Sequence, residues 1–335
     1  MRKCEVCNSE DVAVSLDNLS FSPKAEDTEQ EWEYRLLRCH QCGLVYVDPK
    51  PSWQLLCSFY ESYGIYTSAG RDLFGGKGYL KYIAAKCRYA TYARNGLLEV
   101  AKVGLGVAVE WITGRTVPFS LGIPLQLPKD SRIFEVGYGS GDWLLSMKRL
   151  GYRNLAGYDI DANPKNSSWF VSEGIDVSGG DFLANDYPEA FYDCIRMNHV
   201  LEHLLQPHDV LGKCRKMLAP GGVLALDSPC IESVVARLSF GSFTNLDGPR
   251  HLHHHTLMSA RLLLESAGFD VVKMKPYGVL MLIPTTLNAI LHDRGINQIK
   301  IPSFLFLPCA PVYKLFCLLM HKGEFQTILC RKRQN

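Results

Sequence analysis

Between residues 129 and 275, short apolar runs alternate with amphipathic stretches, and this alternation sets the expected architecture. Arg132-Ile-Phe-Glu-Val136 reads as a buried strand, and Trp143, Leu144, Leu145, Met147 and Leu150 recur at the spacing of a following helix. Asn154-Leu-Ala-Gly-Tyr-Asp159, Gly174 to Phe182, and Phe191 into Met197 supply three further short strands. Leu218-Ala-Pro-Gly-Gly-Val-Leu-Ala-Leu-Asp227 reads as a helix end, a turn and a fifth strand. A helix from Thr256 to Ala267, with Thr256 as N-cap, leads to a sixth strand at about 269–275, and a seventh falls at about 324–331. Strands alternating with helices predict an α/β fold on a mostly parallel sheet.

The polar residues of this region gather where those strands end. The first strand carries Glu135 and opens into Gly137-Tyr138-Gly139-Ser140-Gly141, directly before its helix. Glycines there let backbone turn tightly and approach a nucleotide-like ligand at a helix N-terminus. Asp159, about twenty residues on, closes the second strand where a βαβ unit places a carboxylate for a ribose diol. Asp181 and Phe182 follow the third strand, and Asn198, His199, Glu202 and His203 follow the fourth. In open α/β sheets this edge is the ligand edge. The third glycine comes too early for the dinucleotide fingerprint G-x-G-x-x-G.

The N-terminal segment has a different grammar. Cys4-Glu-Val-Cys7 and Cys39-His-Gln-Cys42 are two C-x-x-C knuckles flanking a strand at 33–38, with a second strand at 43–47. Two knuckles complete a tetrahedral site with no open position, so Cys4, Cys7, Cys39 and Cys42 are expected to hold a structural Zn²⁺. Asp17 to Glu31 is polar and reads as a loop. A helix is expected at about 52–62, then one or two helices over 78–113 and a Pro-rich linker from Val117 to Pro128. The division is therefore 1–48, a zinc-ribbon-like module; 49–128, a helical linker covering the cofactor face; and 129–335, the α/β domain.

The succession of motifs resembles the class I S-adenosylmethionine-dependent methyltransferases across about 129–275. The resemblance implies a Rossmann-like seven-stranded sheet with an antiparallel seventh strand. It also implies S-adenosyl-L-methionine held by Glu135, Gly137, Tyr138, Gly139, Gly141, Asp159, Ile160, Asp181, Phe182 and Asn198. The "VLEH" run at 200–203 and the "LAPGG" turn at 218–222 are typical of one large branch. A zinc-ribbon N-terminus, an aromatic-rich linker and this core occur together in methyltransferases of deoxysugar and surface-polysaccharide pathways. Sugar C-methyltransferases among them carry a tyrosine late in the linker and a His-Glu-His-like run. Tyr66 and His251-Leu252-His253 fall at the corresponding places, with leucine in place of the glutamate.

Gly248-Pro-Arg-His251-Leu-His253-His254-His255-Thr256 is the most unusual local feature. On an extended segment His251 and His253 would project to one side, either into the acceptor pocket or into structural hydrogen bonds around the strand-helix turn. A metal site is conceivable there, but acids are scarce and Asp247 is the only near neighbour. The acceptor-side candidates are thus His251, His253, Glu202, His203 and Tyr66, as base or binder. The expected reaction is methyl transfer to a small hydroxylated acceptor, a sugar nucleotide or glycan intermediate, at oxygen or carbon. The other readings are an RNA methyltransferase gripping RNA with its ribbon, and a cofactor-binding scaffold without turnover.

Composition narrows these options. A net charge of +2 over 335 residues leaves no electrostatic footprint for nucleic acid. Twelve cysteines spread through expected core elements, with a polar start and no secretory leader, predict a reducing cytoplasm. The apolar runs at about 278–320 carry Pro302, Pro308, Pro311 and Lys314, and so read as a lid or buried helix pair. Shallow, peripheral membrane contact is the alternative for that segment.

Overall fold

The structure, a computed structural model, describes residues 3–21, 32–61, 124–160, 170–280, 282–296 and 298–334. Tyr66, the 78–113 helices and most of the 117–128 linker lie outside the described residues. Eleven strands are described: β1 (Val12–Phe21), β2 (Trp32–Cys39), β3 (Val45–Asp48), β4 (Arg132–Val136), β5 (Asn154–Tyr158), β6 (Asp176–Ser178), β7 (Tyr192–Asn198), β8 (Leu218–Pro229), β9 (His253–His254), β10 (Phe269–Tyr277) and β11 (Phe325–Lys332). The helices are α1 (Trp53–Glu61), α2 (Asp142–Arg149), α3 (Pro207–Met217), α4 (Val234–Leu238), α5 (Leu257–Ser266), α6 (Leu282–Asp293) and α7 (Ala310–Met320).

Seven strands form one sheet in the order β10-β11-β8-β7-β4-β5-β6. Neighbours from β8 to β6 pair in parallel, while β11 runs antiparallel to both β8 and β10. This is the seven-stranded arrangement, with an antiparallel seventh strand, that the sequence resemblance implies. The central strands β4 and β7 are largely buried because helices cover the sheet on both sides, as a parallel sheet requires. Trp143, Leu144, Leu145 and Met147 of α2 supply one buried stripe, and Val210, Leu211, Cys214 and Met217 of α3 another. The expected turn at 218–222 is absorbed into β8 itself: Tyr192 pairs Leu218, Cys194 pairs Val223, and the register slips between them.

The ribbon makes a second sheet, β1-β2-β3-β9. Its fourth strand comes from the histidine-rich segment, with Val45 opposite His254 and Tyr46 opposite His253. The expected loop from Asp17 is corrected here: residues through Phe21 continue β1, paired along β2. Two register shifts, around Leu16, and a positive φ at Asn18 break the two-residue period that would have revealed a strand.

Thr256 caps α5 as expected, accepting from the Ser259 amide at 2.9 Å in a reciprocated capping box. The same hydroxyl donates to the Cys42 carbonyl at 2.6 Å, joining α5 to the second knuckle. Between β10 and β11 the chain leaves the sheet through α6, a 3-10 segment at Ser303–Cys309, and α7. The helix pair exists, but α7 is not buried: Val312 is 72% and Leu319 75% exposed, with Leu315, Phe316, Leu318 and Met320 beside them. Among the described residues, no helix is long and apolar enough to cross a membrane.

Candidate active site

The glycine turn after β4 is built to leave bare backbone. Gly137, Gly139 and Gly141 all have positive φ (73°, 54° and 71°), which favours glycine. A Cβ on Gly137 would lie 2.4 Å from Val200 Cγ2. Amides of Gly137 and Tyr138 donate to the Tyr158 carbonyl at 2.6 and 3.2 Å, and Gly139 donates to Asp159 Oδ2 at 2.8 Å. The turn is therefore stitched to the end of β5, and the two expected ligand-binding segments meet.

They border a cavity of about 850 Å³. Glu135, Gly137, Tyr138, Gly139, Asp159, Ile160, Asp181, Phe182 and Asn198 all line it. Gly141 is not on its wall; it starts α2, and a Cβ there would lie 2.0 Å from the Phe170 ring. Asp181 accepts from the Leu183 amide at 2.9 Å, and Phe182 packs between Tyr158 and Tyr187. Lys50, Trp53 and Leu56 also reach the cavity, so the segment just after the ribbon closes one side.

Glu135 is 2% exposed and pairs with Arg196, its register neighbour on β7. Burial pushes its carboxyl up to about 7 against the pull of the Arg196 guanidinium. That guanidinium lies over the Trp143 ring, 4.6 Å from its centre. Sequence reasoning passed over Arg196 and Trp143; the available signal was a lone charge inside the apolar run Cys194-Ile-Arg-Met. The second Glu135 oxygen has no hydrogen-bond partner. A buried acceptor on the wall, an acid at Asp159 and a Cβ-free turn suit a cofactor carrying an ammonium and a ribose diol.

At the end of β7 the chain turns through His199, at φ 56°, into a 3-10 turn, Leu201–His203. His199 Nδ1 lies 3.3 Å from Glu202 Oε1, and His203 Nδ1 2.8 Å from the Arg250 carbonyl. His251 Nδ1 is 2.8 Å from the Asn245 carbonyl, and its ring meets that of His203 edge-on at 4.7 Å. Burial would raise Glu202, but His199 and His203 hold its carboxyl at about 2. Burial and the neighbouring His251 hold His203 down at about 4. Burial also lowers His199, yet Glu202 outweighs it and keeps its pKa above the ordinary value. His199 and His203 line the cavity, whereas Glu202 and His251 stand off its wall.

The expectation that His251 and His253 share a side is overturned. His253 turns to the ribbon, with Nε2 2.8 Å from Glu5 Oε1 and its ring stacked on His255. It does not line the cavity, because β9 commits this segment to the ribbon sheet. Tyr66 lies outside the described residues.

Cys4, Cys7, Cys39 and Cys42 converge on one point. Cys4 and Cys42 Sγ are 3.6 Å apart, and Cys7 and Cys39 Sγ 3.5 Å. A tetrahedron with metal–sulfur bonds of about 2.3 Å has edges of about 3.8 Å, so the four thiols could hold zinc with little adjustment. His40 is engaged with Asp11 at 3.0 Å.

Residues 115–274 match the family model described as a methyltransferase domain. The ubiquinone biosynthesis O-methyltransferase of Maricaulis maris is 32% identical over 98 residues, 28% of this chain and 38% of that protein. Its counterpart from Erwinia tasmaniensis is 28% identical over 96 residues, 27% of this chain and 39% of that protein. The chain thus spans under half the length of the curated relatives it matches. A solved phosphoethanolamine N-methyltransferase 2 of Haemonchus contortus covers 78% of this chain and 59% of its own, at 13% identity and a TM-score of 0.43. Residues 115–274 are thus similar to a methyltransferase domain, on a sheet whose single antiparallel reversal falls at β11.

Proposed function

We propose that the chain transfers a methyl group from S-adenosylmethionine to an oxygen of a small hydroxylated acceptor, a sugar nucleotide or glycan intermediate. The observation that carries this reading is one cavity lined by the glycine cradle, Glu135 and Asp159 together with His199 and His203, with Glu202 behind His199. Oxygen is favoured because both curated relatives are O-methyltransferases by name. When bound, the cofactor supplies an activated sulfonium methyl: the acceptor oxygen bonds to it as the C–S bond breaks onto sulfur. Asp159 and the glycine turn fix one reactant, and the rim of β7 positions the other; alignment provides much of the acceleration. His199 is the general base, taking the hydroxyl proton with Glu202 orienting its ring, a contribution of about 10²–10⁴-fold. Cys4, Cys7, Cys39 and Cys42 hold a structural Zn²⁺ that sets the ribbon against the domain.

Calorimetric titration with S-adenosylmethionine, on wild type and Asp159→Ala, tests the cofactor site. Micromolar binding lost in the variant supports it, and sugar-nucleotide acceptors are then screened by methyl incorporation. No binding by folded, zinc-loaded wild type would sink the reading.

A further inference from the structure

We propose that Glu202, His203 and His251 form a second metal site, for a divalent first-row ion, at the acceptor end of the cavity. Each of the three offers a ligand atom, and these atoms all lie within 4.8 Å of one another. Along the chain, His251 lacks an acid within hydrogen-bond reach; the fold brings Glu202 to it from the 3-10 turn after β7. The segments are held together by the Leu252 amide, which donates to the Glu202 carbonyl at 2.7 Å. Arg250 pins the loop, donating to both oxygens of Asp247 at 2.7 and 2.6 Å.

The hydrogen bonds fix which ring nitrogens carry a proton. A carbonyl oxygen only accepts, so His203 and His251 must each carry a proton on Nδ1 to reach Arg250 and Asn245. Both rings, when neutral, then present the Nε2 lone pair, the form that binds metal. A ring nitrogen donated to a backbone carbonyl is also the support metal-binding histidines ordinarily have. Glu202 is 1% exposed; Oε1 meets His199, and Oε2 is buried without a hydrogen-bond partner. Asp247 Oδ2 stands 3.8 Å from His251 Nε2, at the outer side of the cluster.

Two imidazoles and one carboxylate leave coordination positions open and suit Mn²⁺, Fe²⁺, Co²⁺ or Zn²⁺ better than all-oxygen ions such as Ca²⁺. His203 lines the cavity while Glu202 and His251 stand behind its wall, so an ion held by the three would meet the acceptor on the His203 side. Resting on the methyl-transfer reading, the ion would bind the acceptor through two neighbouring oxygens, as a vicinal diol or a hydroxy-carbonyl provides. It would lower the pKa of the attacking hydroxyl, whose proton passes to His199. The site selects chelating acceptors over isolated alcohols.

The test is a Mn²⁺ titration of protein whose thiol cluster is first filled with one equivalent of zinc, read by loss of the free-ion paramagnetic resonance signal. One Mn²⁺ per chain is expected, weakened about tenfold or more in Glu202→Gln and His251→Ala, with Asp159→Ala unchanged. A wild type that leaves the signal untouched, or variants that bind as well, would show a hydrogen-bonded histidine cluster only and overturn the proposal. Should the variants unfold by circular dichroism, Co²⁺ absorption of the zinc-loaded wild type decides. Ligand-field bands without thiolate charge transfer support the site, and no bands refute it. Mn²⁺ binding in a protein that never binds S-adenosylmethionine would keep the site and sink the methyl-transfer reading instead.

Discussion

Replacing Thr256 with valine removes one hydroxyl and keeps the branched shape. In the structure that hydroxyl accepts from the Ser259 amide and donates to the Cys42 carbonyl, at 2.9 and 2.6 Å. Loss of the N-cap costs about 0.5–2 kcal/mol. Leaving the Cys42 carbonyl buried without its donor costs about 1–3 kcal/mol. The two share one atom and do not add fully, so the expected loss is about 1.5–4 kcal/mol. At about 2 °C per kcal/mol for a chain of this size, the melting temperature should fall by roughly 3–8 °C. Thr256→Ser keeps both bonds and should stay within about 2 °C of wild type. The assay is thermal unfolding by circular dichroism after zinc loading, beside zinc release to a chromogenic chelator. Release should be faster in the valine variant, because the second knuckle loses its tether to α5. A valine variant that melts with wild type and holds zinc equally long would refute the docking of ribbon on α5.

Three further outcomes are expected. Gly137→Ala should lose S-adenosylmethionine binding and about 1–3 kcal/mol of stability, because its φ is 73° and the new methyl meets Val200 at 2.4 Å. Calorimetry and melting check this, and an alanine variant that binds normally would contradict the cradle. Stability should fall with acid: burial holds His255 down at about 3 and His254 well below its ordinary value, so the folded chain refuses protons that the unfolded chain takes up. That stability is complete above about pH 6.5 and is lost as pH falls toward 3, by about 1.4 kcal/mol per unit per histidine. Melting curves flat from pH 7 to 5 would exclude it. Lastly, the exposed apolar face of α7, with Lys314 and Lys322 nearby, is expected to rest shallowly on an anionic bilayer. Leu315→Glu with Leu319→Glu should abolish co-sedimentation with anionic vesicles, and wild type left in the supernatant would end that idea.

The sheet was legible because its central strands are buried on both faces and read as short, mostly apolar runs, each followed by a polar group. The cofactor wall was legible for the same reason, since Asp159 and Asp181 follow from strand ends. What could not be read was the pairing of distant segments. His253 looked like a neighbour of His251 because alternation was assumed to govern, yet pairing with Tyr46 gave it to the ribbon. Glu202 and His251 were legible as acceptor-side candidates, but not the backbone bond from Leu252 to Glu202 that brings them together. Arg196 was overlooked because its partner, Glu135, sits on a different strand. β1 escaped because two slips in register erase its periodicity.

The short strand at 253–254 has a consequence for how the molecule is made. The ribbon leaves the ribosome before the α/β domain, but the sheet it belongs to lacks a strand until about two hundred more residues have followed. At about 5–20 residues per second that is an interval of roughly 10–40 s. During it β3 presents a bare edge, the kind of surface on which chains aggregate. Early metal capture by the four thiols would give the nascent segment a provisional order before its sheet is complete. Cells short of zinc should therefore accumulate aggregated newly made chain while protein folded beforehand stays intact.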